Sequence, residues 1–347
     1  MSKIKVAIIC GGKSSEHEIS CVSAAGVIAA IDTEKFEPVL IGITKSGKWL
    51  LIPNDINFSI VDGALPSVPE SGVDVIIANN LLQAGGKDLA IDVVFPVLHG
   101  PYGEDGTIQG LFEMINLKYV GSGVLASAVS MDKSFAKPIF AAAGLSVAPG
   151  VVVTSNNFQL PNELKFPLFV KPARSGSSRG TTKVKNESEL KNAVSFALEF
   201  DTKVLIESSI NGREIECAVL QSAGRTIASP VGQIVIDSKY EFYDFQAKYL
   251  DNSMQLVFPT DLPAGIEAKI QEQAIKAFNA AGCEGLARVD FFYSNNGEII
   301  INEINTMPGF TPLSVYPKLI AKTGLSYKEL ITKLLETALA RSANITP

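Results

Sequence analysis

A chain of 347 residues, 46% apolar and 19% charged, has the composition of an ordered globular protein with two or three domains and argues against disorder. Its net charge of −6 argues against a general nucleic-acid binder, and no apolar run is long enough to span a bilayer. Cys10, Cys21, Cys217 and Cys283 lack paired spacing, so neither a disulfide framework nor a zinc site is expected, and a reducing cytoplasm fits.

The N-terminus runs directly into a strand, KIKVAIIC, with no signal-peptide pattern. GGKSSEHEIS follows as a polar loop, and CVSAAGVIAAID has helical periodicity. FEPVLIGIT and GKWLLI read as two further strands. Residues 53–90 read as loop, with no element assigned. AIDVVFPVLHG is another buried strand with His99 at its polar end. PYGEDG leads into a helix, TIQGLFEMI, and KYVGS is a short strand. This β-then-α order predicts a parallel sheet with ligands at the carboxyl ends of its strands. Gly12-Lys13-Ser14 is not a Walker loop, because the glycine required five residues earlier is Ala7, inside a strand. Glu16 and His17 stand at the strand–helix junction, where a simple turn and cap is an equal reading. Gly121-Ser122-Gly123 reads as turn geometry.

A second unit begins near Met131. SFAKPIFAAAGL reads as a helix ended by Gly144. VAPGVVV, PLFVKP, TKVKN, VLIESSI and REIECAVL are strands around one helix, ESELKNAVSFALEF, an α+β pattern. The loop RSGSSRG exposes many backbone N–H groups, which suits a polyphosphate, with Lys171 just before it; a surface hairpin is the alternative. Lys133 alone is a helix-start lysine. Glu207 ends an apolar strand and Glu214 follows seven residues later. That arrangement fits an adenine and ribose site, although on these residues alone two surface carboxylates read better.

The third unit, from about residue 227, holds IASPVGQIVI, the aromatic loop YEFYDFQAKYLDN, a helix GIEAKIQEQAIKAFNAAG, a hairpin and a C-terminal helix. The aromatic loop is either a packed Ω-loop or an active-site lid. The hairpin pairs LARVDFF with EIIINEIN across SNNG. Glu303 and Asn305 are two apart on a strand and share a face. With Asp290 they make two carboxylates and an amide oxygen, a set that suits Mg²⁺. Such a cation commonly serves a nucleoside triphosphate, so an ATP-using enzyme is expected; stray acidic residues on a solvated strand are the alternative.

Taken in order, GGKSSEHEIS, FPVLHGPYGEDGTIQG, GSGVLASAVSMDKS, FVKPARSGSSRG, EFYDFQAKY, ARVDFF and NEINTMPGFT resemble the ATP-grasp superfamily, and within it the D-alanine–D-alanine ligases. The likeness runs from about Lys5 to the last helix. It implies an α/β N-terminal parallel-sheet domain (1–130) followed by a two-part α+β ATP-grasp fold (131–226 and 227–347). It also implies a cytoplasmic homodimer that joins two D-alanines through a D-alanyl phosphate for peptidoglycan synthesis. ATP and two Mg²⁺ or Mn²⁺ ions would serve it, with no nucleic-acid or membrane partner.

Carried over residue by residue, Glu16 receives the first D-alanine's ammonium with His99 nearby, and Ser177 and Tyr249 share a hydrogen-bonded set with Glu16. Lys133 and Lys171 bind phosphates, Lys248 binds the γ-phosphate from the lid, and Ser178 is a further nucleotide contact. Glu207, Ile210 and Phe242 form the adenine pocket, Glu214 holds ribose, and Phe292 is a further nucleotide contact. Asp290, Glu303 and Asn305 are the metal ligands. Arg288 and the N–H of Gly309 are oxyanion donors, and Ser314 binds the second substrate's carboxylate. Ser175 and Arg179 depart from the common phosphate-loop pattern. Val315 follows Ser314 where D-serine-using relatives can carry Arg, so D-alanine is favoured over a D-serine or D-lactate variant.

Overall fold

β1 (Ile4–Gly11) is apolar on both faces and almost wholly buried, as a central strand of a covered sheet must be. It leads into α1 (His17–Ala30). β2 (Phe36–Ile43), β3 (Trp49–Ile52), β4 (Val73–Ala78), β5 (Leu81–Ala84), β6 (Lys87–Asp88) and β7 (Val93–Pro96) follow, then α2 (Thr107–Met114) and β8 (Lys118–Tyr119). The sheet order is β6-β5-β4-β3-β2-β1-β7-β8 in this computed structural model, which describes residues 2–60, 63–236 and 254–341. β2, β1, β7 and β8 run parallel, as expected, and β3 to β6 extend them antiparallel.

The span 53–90, which has no element by sequence, therefore holds three strands. β4 shows no clean two-residue burial period, since Val73, Ile76 and Ile77 are all exposed. The signal that survives is the turn. Asn79 and Asn80 both have positive φ, as a tight hairpin turn requires.

α3 (Val124–Met131) and α4 (Lys133–Ala142) come next. The Asp132 carboxylate accepts the Ser134 N–H at 3.0 Å and caps α4. β9 (Ser146–Val147), β10 (Gly150–Val153), β11 (Leu168–Pro172), β12 (Thr182–Val184), α5 (Glu187–Leu198) and β13 (Val204–Ser208) complete the middle of the chain. β10-β13-β11-β12 form an antiparallel sheet. Leu190, Val194 and Ala197 of α5 pack on Leu168, Val170 and Ile206 of that sheet.

The last sheet contains β14 (Gly212–Ser222), β15 (Arg225–Ala228), β16 (Gly232–Ile236), β17 (Met254–Val257), β18 (Leu286–Ser294) and β19 (Ile299–Asn305). Its order is β17-β16-β14-β18-β19-β9, with β15 on β14. By sheet membership β9 and β14, both before residue 226, pair with the C-terminal strands. α6 (Ile266–Ala280) covers one face through Ile270, Ala274 and Phe278. α7 (Val315–Ala321) and α8 (Tyr327–Ala340) cover the other, and their core is continuous with Val6, Ile8 and Phe95 of the N-terminal sheet. That shared core brings the ends of β1 and β7 against the loop after β19.

Candidate active site

Two cavities, about 470 and 700 Å³, open where these sheets meet. Lys133, Ser175, Ser177, Glu216, Arg288 and Glu303 line both, so the cavities adjoin.

The larger cavity is built on the N-terminal sheet. Gly11 and Gly12 turn with positive φ at the end of β1 and deliver Glu16 to the start of α1. Glu16 is buried, and Ser177 of the loop between β11 and β12 donates its hydroxyl to Glu16 Oε1 at 2.5 Å. Gly100 approaches so closely that a Cβ there would stand 2.7 Å from Glu16 Oε2. His99 is buried beside it. Its Nδ1–H donates to the Met307 carbonyl at 3.0 Å, and Nε2 accepts from Ser23 Oγ at 3.2 Å. Burial holds the imidazole below its ordinary pKa, against the opposing pull of Glu16, so it is neutral. Gly309, Ser314 and Val315 close the far side. The Ser314 hydroxyl lies 2.9 Å from that of Thr311.

The smaller cavity lies between the middle and C-terminal sheets. Lys171, Ser178, Glu207, Ile210, Glu214 and Phe292 line it. Glu214 of β14 stands opposite Phe292 of β18 in register. Glu207 pairs with Lys171 and Lys137. Burial alone would raise the Glu207 carboxyl; the two lysines outweigh it and hold the group below the usual range. Burial, only partly offset by Glu207, lowers Lys171.

Arg288, Asp290, Glu303 and Asn305 occupy the junction. Register pairs Arg288 with Asn305 and Asp290 with Glu303, so all four side chains share one sheet face. A bulge after Asp290 leaves Asn302 as the extra residue of β19. It lets Glu303 face the junction while Ile301 and Ile304 stay buried, and Asn302 Oδ1 accepts from Lys171 at 3.3 Å. Arg288 grips Asp290 through Nε at 2.7 Å and Nη2 at 2.6 Å, and Glu216 through Nε at 3.0 Å. Lys133 Nζ lies 2.9 Å from Glu303 Oε2. Burial would lower this lysine, but Glu303 more than offsets it.

Among the described residues no group of three or more His, Cys, Asp and Glu gathers as a metal cage. Two carboxylates and an amide suit a hard cation that takes its other oxygens from phosphate and water. That donor set fits Mg²⁺, and Lys133 and Arg288 balance its charge here.

Every sequence-predicted site residue within the described span lines one of the two cavities. Phe242, Lys248 and Tyr249 lie outside the described residues. Sequence reasoning missed Glu104, Lys137, Glu216 and Asn302. Glu104 accepts the Gly100 N–H at 2.6 Å and the Met307 N–H at 3.3 Å. Burial, with Glu16 nearby, pushes its carboxyl up to about 8. A hint for Glu104 was its place in HGPYGEDG, and for Asn302 its place at the head of NEINTMPGFT; nothing local marked Lys137 or Glu216.

Two family models match the chain. The one described as D-ala D-ala ligase N-terminus covers residues 5–122, and that described as D-ala D-ala ligase C-terminus covers 139–336. A D-alanine–D-alanine ligase of Arthrobacter sp. (strain FB24) is 48% identical over 99% of this chain and 96% of its own length. One from Mycolicibacterium smegmatis is 46% identical over 99% of this chain and 97% of its own. Among solved structures, the VanG D-Ala:D-Ser ligase from Enterococcus faecalis superposes with a TM-score of 0.85 at 37% identity, covering 97% of this chain and 100% of that one. The D-alanine–D-alanine ligase from Coxiella burnetii gives 0.83 at 34% identity, covering 98% and 94%.

Proposed function

The chain belongs to the D-alanine–D-alanine ligase family, and from that premise we propose how its two cavities divide the work. The enzyme is an ATP-dependent, ADP-forming ligase that makes D-alanyl-D-alanine for peptidoglycan. The smaller cavity takes ATP and the larger takes the two amino acids. The observation that carries this division is the adjoining of the cavities at Lys133, Arg288 and Glu303.

Glu207, Ile210, Phe292 and, on sequence grounds, Phe242 hold adenine and Glu214 the ribose. Lys133, Lys171, Ser178 and, on sequence grounds, Lys248 hold the phosphates. Glu16, tied to Ser177 and by sequence to Tyr249, receives the ammonium of the first D-alanine, with His99 beside it. The substrate carboxylate then points to the junction. Its oxygen bonds to the γ-phosphorus as the bond to ADP breaks, and Lys133 and Lys171 spread the developing charge. Mg²⁺ or Mn²⁺ on Asp290, Glu303 and Asn305 supplies charge neutralisation at the triphosphate when bound. The second D-alanine, its carboxylate at Ser314 beside Val315, attacks the acyl carbon with its neutral amine, and phosphate leaves. Arg288 and the Gly309 N–H stabilise the oxyanion, about 2.7–4 kcal/mol per donor in other enzymes.

The units 1–130, 131–226 and 227–347 supply the amino-acid site, the phosphate loop and the metal hairpin in this reading. A homodimer is part of the proposal: Met114 of α2 and Leu125 of α3 are 81% and 77% exposed on adjacent helices, where a second copy would cover them. A cytoplasmic location is consistent with the four cysteines, which are free and buried. No described helix is long and apolar enough to cross a membrane.

The test is direct. Incubation with ATP, Mg²⁺ and D-alanine should release one phosphate per dipeptide detected by mass. Phosphate release without dipeptide would refute the ligase chemistry.

A further inference from the structure

Lys137 lies on α4 one turn beyond Lys133, and its Nζ is 2.8 Å from Glu207 Oε2. Both side chains are buried, 8% and 5% exposed. Lys171 takes the other oxygen of the same carboxylate. Glu207 and Lys171 line the smaller cavity, whereas Lys137 lines neither cavity. A lysine buried out of reach of any ligand is costly to keep unless its charge is used. The carboxylate it meets is the one that faces the nucleotide site.

The Lys137 contact is close but off the hydrogen-bond direction. Among the described residues Glu207 Oε2 receives no hydrogen bond. Glu207 nevertheless lines the smaller cavity while it meets both lysines, and a carboxylate has lone pairs beyond those two contacts with which to accept from a donor there. Flanked by two ammonium groups, Glu207 acts as an acceptor and not as a donor.

We propose that Lys137 is a positioning residue for base selection, holding Glu207 as an acceptor for the exocyclic amine of adenine. Guanine carries a carbonyl at the corresponding ring position, so an acceptor would meet an acceptor and the wrong base is rejected. Lys137 acts through Glu207 and touches no substrate. The inference rests on the reading of Glu207 as the base-edge carboxylate.

The test uses the full-length enzyme with Lys137→Met, Lys137→Arg, Glu207→Gln and the double variant Lys137→Met/Glu207→Gln. The measurements are KM for ATP, GTP and D-alanine, kcat, Tm, and calorimetric binding of a non-hydrolysable ATP analogue. Lys137→Met should raise the ATP KM about tenfold or more, weaken the analogue in step, cut the ATP-over-GTP preference by a similar factor, and leave the D-alanine KM within about twofold. Lys137→Arg should restore most of the preference. The double variant should bind the analogue no more weakly than Glu207→Gln alone, because the lysine acts only through that carboxylate.

A base preference unchanged in Lys137→Met, with only Tm lowered or all constants worsened together, would overturn the proposal. If Glu207→Gln weakens ATP and Lys137→Met does not, the Lys137 inference fails alone. If Glu207→Gln leaves ATP binding unchanged, the base-edge reading fails and the inference falls with it. Should Lys137→Met not fold, the double variant carries the test, since it removes both charges of the Lys137–Glu207 pair together. Further loss of analogue binding beyond Glu207→Gln would then refute the proposal.

Discussion

Lys133 Nζ lies 2.9 Å from Glu303 Oε2, so the lysine assigned to phosphate and a carboxylate assigned to the metal neutralise each other before either meets its ligand. The pair holds both side chains at the junction in a ready geometry. Glu303→Gln keeps the size and removes the charge. The variant should remain folded, and its Mg²⁺-dependent turnover should fall by at least about tenfold, with a raised Mg²⁺ requirement. Titrating activity against Mg²⁺ checks this, and an unchanged curve would remove Glu303 from the metal set.

The Ser177–Glu16 hydrogen bond joins the phosphate loop to the amino-acid site. Hydrogen bonds to charged groups contribute about 1.5–3 kcal/mol. Ser177→Ala should therefore raise the D-alanine KM roughly 10- to 100-fold, while the ATP KM changes much less. Equal changes in both would mean that Ser177 organises the loop rather than Glu16.

Val315 is buried against the larger cavity and offers an apolar surface to the second substrate. In competition near neutral pH, D-alanine should outcompete D-lactate and D-serine as the incoming group. Product ratios by mass spectrometry decide it. A mainly D-lactate or D-serine product would reverse the assignment and place the enzyme with the variant ligases.

Glu104 carries a pH signature. Its carboxyl is pushed up to about 8 by burial and by Glu16, above the ordinary 4.5. Between those values the unfolded chain gives up the proton and the folded one keeps it. Stability therefore declines as pH rises through this window, by up to about 1.4 kcal/mol per pH unit from this group. Glu104→Gln keeps one of the two backbone bonds at a cost of about 1 kcal/mol, but it should flatten that decline. Urea melts from pH 5 to 8 on both proteins provide the comparison. Parallel slopes would show that Glu104 ionises normally in the fold.

Some of this protein was decided by local sequence. Apolar runs marked β1 and β7 as buried strands, because a strand covered on both faces has little room for polar residues, and shorter apolar stretches marked β18 and β19 around their polar site residues. The two-residue period put Glu303 and Asn305 on one face, and seven motifs in order carried the family resemblance. Exposed strands such as β4 were illegible because solvent imposes no period on them. The site itself was decided by tertiary structure. Glu16 and Ser177 are 161 positions apart and meet only because the middle sheet packs its loop over the start of α1. The pairing of Lys137 with Glu207 and of Glu104 with the Met307 N–H depends equally on distant segments. The bulge at Asn302 comes from the register of β18 and β19. Composition and periodicity describe how a residue meets its own helix or strand; which charge neutralises which across a buried junction depends on how those elements pack.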